Sequence, residues 1–123
     1  MPSKIERCAI YIRVSTAEQM MHGKSLEAQK QYLTNYAKEH NMTVAGVYAD
    51  EGKTARKELK KRKAIHSLLE DVKAGKIDVI IFWRIDRWFR NLSDFYKVQE
   101  VLDDNNVRWI STSEPGINME TRD

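Results

Sequence analysis

With 123 residues, 41% hydrophobic and 32% charged, the chain is the size of one soluble globular domain and can bury a core. It has no apolar run of membrane-spanning length and no secretory leader pattern, so a cytoplasmic location is expected. The single cysteine, Cys8, excludes an internal disulfide, no Cys/His spacing suggests zinc, and the modest net charge of +3 hides two local concentrations of cations.

Residues Arg7–Val14 predict the first strand. Its run Cys8-Ala9-Ile10-Tyr11-Ile12 reads as core, with Cys8 a small apolar residue, and Arg13 and Ser15 follow at the carboxyl end. Ser25 reads as the N-cap of a helix over residues 26–40, which places Leu26, Leu33 and Ala37 on one face and stops at Asn41. Gln29 falls on that inward side, so it needs a partner at the core edge or a place in a site. Thr43–Ala49 predicts a second strand, broken by Asp50-Glu51-Gly52. A basic loop from Lys53 to Lys63 comes next. Ile65, Leu68, Leu69 and Val72 have the spacing of an amphipathic helix, closed by Gly75. Val79-Ile80-Ile81-Phe82-Trp83 is continuously apolar, as in a strand covered on both faces. The second cationic cluster, Arg84, Arg87 and Arg90, follows it, and then a helix with Phe95, Val98, Val101 and Leu102 inward. Val107–Ser111 predicts a fourth strand, Glu114-Pro115-Gly116 a turn, and residues 117–123 show no packing pattern. Alternating strands and helices predict an α/β fold in three layers. Its mainly parallel central sheet has about four to five strands, flanked by helices.

In open α/β sheets, substrates bind outside the carboxyl ends of the strands. Three groups are expected at that edge: Arg13 and Ser15, then Arg62, then Arg84, Asp86, Arg87 and Arg90. A hydroxyl among guanidinium groups suits phosphoryl transfer. Arginine binds phosphate oxygens bidentately, stays charged, and stabilises the charge of a five-coordinate phosphorus. His22, His40 and His66 lie in a loop, at a helix end and on a helix flank, and none stands out as a base for Ser15. There is no tight carboxylate cluster for two-metal chemistry and no G-x-x-x-x-G-K-S/T loop for nucleotide hydrolysis. The site is therefore expected to work with serine and arginine, without metal or cofactor. Asp86 and Arg90 are four residues apart and could form a helix-face ion pair, or Asp86 could orient Arg90 or relay a proton. Local positive charge fits a polyanionic partner, though a solvated loop has the same composition. A flavodoxin-like binding domain, a serine phosphatase and a non-catalytic module are the competing readings. A phosphate loop or a candidate base would favour either of the first two, and a depleted Ser/Arg set the last.

Taken in order, the motifs resemble the serine recombinase family of resolvases, invertases and phage-type integrases. The matching stretches are Tyr11-Ile12-Arg13-Val14-Ser15-Thr16-Ala17-Glu18-Gln19, Ser25-Leu26-Glu27-Ala28-Gln29, Asp50-Glu51-Gly52, Arg62 ahead of Leu68-Leu69, and Ile85-Asp86-Arg87-Trp88-Phe89-Arg90. The long segment between Ser15 and Gln29 looks most like the large serine recombinases, of the phage integrase and transposon type. The resemblance implies that Ser15 is the nucleophile on a DNA phosphodiester, giving a 5′-phosphoserine link and a free 3′-hydroxyl. It implies that Arg13, Arg62, Arg87 and Arg90 hold the phosphate, with Asp86 orienting them or assisting proton transfer. Tyr11, Gln19, Gln29, Thr54 and Arg84 would support the site or contact DNA. It further implies double-stranded DNA at specific sites as substrate, and dimers and tetramers as the working assembly. Residues 1–123 would be the catalytic domain alone, ending before the long dimerisation helix and the DNA-binding domains. The chain departs from the family pattern at Thr54-Ala55, where Ser-Gly is usual, at Lys63 after Arg62, where proline is common, at Arg84, where lysine is usual, and at the bulky Trp88-Phe89 pair.

Overall fold

The structure is a computed structural model that describes residues 5–15, 26–52, 63–83, 92–112 and 118–119. Among these residues, five strands form one sheet: β1 (Arg7–Ser15), β2 (Thr43–Gly52), β3 (Val79–Phe82), β4 (Arg108–Ser111) and β5 (Asn118–Met119). Three described helices flank it: α1 (Leu26–Glu39), α2 (Lys63–Lys73) and α3 (Leu92–Asp104). The strand order is β2-β1-β3-β4-β5, with β1 paired parallel to both β2 and β3, β3 parallel to β4, and β5 antiparallel to β4.

Alternation along β1 splits the core in two. Cys8, Ile10 and Ile12 face α1 and pack with Leu33, Ala37, Val79 and Ile81. Ala9 and Tyr11 face α2 and α3 and pack with Ile65, Leu68, Val72, Ile80, Phe82, Val98 and Leu102. The connection from β1 to β2 runs one way across the sheet and that from β2 to β3 runs back over β1. Right-handed crossovers therefore put α1 on one face and α2 on the other. All four residues of β3 are buried, as its unbroken apolar run predicts. The buried Trp109 donates its indole N–H to Gln99 Oε1 at 2.9 Å, and Gln99 in turn donates to Asp103.

Each helix is followed by a residue in the left-handed region: Asn41 (φ 58°), Gly75 (φ 77°) and Asn106 (φ 57°). Gly75 and Asn41 are the stops expected from the sequence. Two expectations fail. β2 does not break at Asp50 but runs on to Gly52, because Asp50, Glu51 and Gly52 pair with Arg13, Val14 and Ser15. The tail expected to lack packing instead contributes β5, since Asn118 and Met119 pair with Ile110 and Trp109. The Glu114-Pro115-Gly116 turn lies outside the described residues.

Candidate active site

β1 runs past its neighbour on one side. It pairs with β3 only from Cys8 to Ile10, but with β2 all the way to Ser15, opposite Gly52. The last residues of β1 therefore project beyond β3, along a single partner strand. Strand order also reverses here: the chain leaves β1 toward β2 and later returns to β3 on the other side. That is the topological switch point of an open α/β sheet, where a crevice forms at the carboxyl edge. Ser15 is the last residue of β1 at this point. The connection from β2 to α2, residues 53–62, starts beside it, since Gly52 pairs with Ser15, while the connection leaving β3 through Trp83 starts from the same carboxyl edge of the sheet.

Arg13 is two residues before Ser15 and only 6% exposed, on the strand face it shares with Tyr11. Tyr11 is fully buried, and its hydroxyl donates to Asp50 Oδ2 at 2.7 Å. Asp50 is 7% exposed. It also accepts the backbone N–H of Ala64 on Oδ1 at 2.9 Å and that of Ile65 on Oδ2 at 3.1 Å. One carboxylate thus joins β1, β2 and the first turn of α2. Gln29 is buried in the first turn of α1, near the same edge but on the opposite face of the sheet. At the end of β3, the Phe82 carbonyl accepts both the N–H (2.9 Å) and the hydroxyl (3.2 Å) of Thr112, which ties the ends of β3 and β4 together.

Of the residues singled out from the sequence, Tyr11, Arg13 and Gln29 are described in full, and Ser15 by its backbone. Gln19, Thr54, Arg62, Arg84, Asp86, Arg87 and Arg90 lie outside the described residues, as does His22. His40 and His66 are exposed, and His40 stacks on Tyr36 with ring centroids 3.9 Å apart. Among the described residues no group of three His, Cys, Asp or Glu side chains gathers as a metal site would require, and no helix is long and apolar enough to cross a membrane. The feature that sequence reasoning missed is Asp50, read there as a strand breaker. A carboxylate between an apolar strand and a helix that opens on a run of cations was its signal.

Residues 8–123 match the family model for the resolvase N-terminal domain. A putative DNA recombinase of Bacillus subtilis (strain 168) is 34% identical over 99 residues, which is 80% of this chain; the chain spans only 19% of that relative's length. The N-terminal catalytic domain of TP901-1 integrase superposes with a TM-score of 0.79 at 32% identity, covering 92% of this chain and 82% of that one. The catalytic domain of ISC1926 TnpA, an IS607-like serine recombinase, gives 0.75 at 28% identity over 90% and 70% of the two chains. A resolvase family site-specific recombinase from Streptococcus pneumoniae gives 0.73 at 32%, over 94% and 76%. With a parallel sheet whose switch point carries Arg13 and Ser15, and with these relatives, the chain belongs to the resolvase N-terminal domain family, on the side of the large serine recombinases.

Proposed function

We propose that residues 1–123 are the catalytic domain of a site-specific DNA recombinase and that Ser15 is its nucleophile. The Ser15 Oγ loses its proton and bonds to phosphorus, and the bond from phosphorus to the 3′ oxygen breaks. The 3′ oxygen leaves as a hydroxyl, and the 5′ phosphate stays on the serine. The phosphoserine ester keeps the energy of the broken bond, so attack by a 3′-hydroxyl restores the strand without ATP or any cofactor. In this reading Arg13, Arg62, Arg87 and Arg90 hold the scissile phosphate and neutralise the charge that grows on its oxygens. Asp86 orients those guanidinium groups or assists proton transfer. Tyr11, Gln19, Gln29, Thr54 and Arg84 support the site or the DNA around it. The substrate is double-stranded DNA, and strand exchange takes place between subunits of a dimer or tetramer.

The observation that carries the reading is the position of Ser15, at the end of β1 and at the switch point, two residues after a buried arginine. The test is cleavage of nicked recombination-site DNA by the intact protein, resolved on a denaturing gel. A covalent protein–DNA band is expected with wild type and is absent with Ser15→Ala. A band that persists in Ser15→Ala would remove Ser15 from the mechanism.

A further inference from the structure

We propose that the outer edge of β2 is a self-association surface, on which the β2 strand of a second copy of this chain pairs antiparallel. The inference is independent of the recombinase reading above. The two edges of the sheet differ. β5 is two residues long, and so short an edge strand leaves little backbone for another chain to pair with. β2 is ten residues long and, among the described residues, pairs only with β1. Its outward N–H and C=O groups are therefore open to a further strand. Proline and lysine, the residues that usually close such an edge, are absent from Thr43 to Gly52, and Thr43–Ala49 carries no charge at all. The rim of this strand is apolar as well: Val44 and Val47 are 37% and 41% exposed. In a regular strand, residues three apart point to opposite faces. Here the bulge at Ala45 resets the alternation, so that Val44 pairs with Cys8 and Val47 with Ile10, both of which face α1. Both valines therefore stand on the α1 face at the rim of the sheet, while Tyr48, on the opposite face, is tied back to α2 through Asp71.

The chemistry of the edge selects its occupant. A charged partner would find no counter-charge along Thr43–Ala49, whereas an uncharged strand rich in β-formers would meet its like, and β2 is such a strand. In a chain that is 32% charged, this seven-residue stretch is one that brings no like charges together when two copies meet. A two-fold axis perpendicular to the sheet runs the two β2 strands antiparallel and keeps the α1 helices of both copies on one side. The valines of both copies then join into one apolar strip along a sheet that is continuous through the pair. A contact one strand wide is small beside the ~800 Å² per partner of a stable interface. The pairing is therefore weak in dilute solution and strengthens wherever copies are held close together.

The experiment combines residue-resolved amide hydrogen exchange with sedimentation equilibrium on the same samples, from dilute to near-millimolar protein. The outward amides between Val44 and Ala49 are expected to exchange more slowly as the protein is concentrated, in step with a rise in mass from monomer to dimer. Val47→Lys sets like charges against each other across the axis. It should raise the dimer dissociation constant by roughly tenfold or more, abolish the added protection and leave the melting temperature close to wild type. Val44→Lys is the second variant and should act the same way. Ser67→Lys, on the exposed surface of α2, adds the same charge and should keep both dimer and protection. A chain that stays monomeric throughout would overturn the proposal. So would a dimer that leaves the β2 amides unprotected, or one that neither valine variant weakens, since both place the contact elsewhere. Protection that appears only with an apolar strand peptide of unrelated sequence, without any dimer, would give the edge to another partner and equally overturn self-pairing.

Discussion

Cys8 is fully buried between β1 and α1, and burial pushes its thiol up from 9.0 to about 11. The folded state holds that proton more tightly than the unfolded chain. Below pH 9 both states are protonated and the stabilisation is complete. As pH rises from 9 toward 11, only the unfolded chain ionises, so stability falls. Tyr48 acts in the same direction at higher pH: burial first, then its hydrogen bond to Asp71, raises its phenol from 10.0 to about 12. Melting temperatures followed from pH 8 to 11 should therefore decline, and decline less steeply in Cys8→Ala. The slope is the readout, because the alanine also leaves a small gap in the core that lowers stability at every pH. Equal slopes would show that the Cys8 proton is not linked to folding. The buried thiol is also expected to resist alkylation until the protein unfolds.

β2 combines irregularity with attachment. Its register against β1 shifts between Cys8 and Ala9, which oppose Val44 and Gly46 and leave Ala45 as the extra residue of a bulge. Next to the bulge, the Tyr48 ring folds over Gly46, where an added Cβ would lie 2.9 Å from the phenol oxygen and 3.0 Å from two ring carbons. Tyr48 is not at liberty to move aside, because its hydroxyl donates to Asp71 on α2 and its ring packs on the core. With Asp50 on the first turn of α2 and Tyr48 near its end, β2 grips that helix at two polar points. Gly46→Ala should cost about 1–3 kcal/mol, the usual effect of overpacking, read by urea denaturation. The cost should shrink in a Tyr48→Ala background, and an undiminished cost would place the strain elsewhere. The helices and buried strands were legible in the sequence, because apolar spacing at Ile65, Leu68 and Val72 and the unbroken run into Phe82 reflect burial directly. The far end of β2, the bulge and β5 were not. They depend on which strand lies alongside and on hydrogen bonds between residues far apart in the chain, which local pattern does not encode. The same holds for the site: Arg13 and Ser15 stood out as an odd ending to an apolar strand, whereas Asp50 gains its meaning only from Tyr11, Ala64 and Ile65.

At the scale of the whole molecule, the order β2-β1-β3-β4-β5 directs two connections to one edge. The stretch after β2 contains Arg56, Lys57, Lys60, Lys61 and Arg62, and the stretch after β3 contains Arg84, Arg87 and Arg90. With a net charge of only +3, the domain's long-range attraction for a polyanion depends on where its cations are concentrated rather than on their excess. Two readings of the lysines before α2 make different predictions. If they form a solvated surface, replacing them changes little beyond net charge. If they face the DNA backbone, each neutralised phosphate releases counterions, and log K falls with log salt by about 0.9 per phosphate. Lys57→Gln, Lys60→Gln and Lys61→Gln combined should then weaken binding to unrelated duplex DNA at low salt. They should also flatten the salt dependence by about 0.9 for every phosphate that the variant no longer neutralises. The same three changes leave Ser15, Arg13 and Arg62 in place, so covalent-complex formation at saturating DNA should be retained while the DNA concentration needed rises. A salt slope that does not change would remove this stretch from the DNA-facing surface, and the Arg84–Arg90 segment would then be the main carrier of the electrostatic attraction.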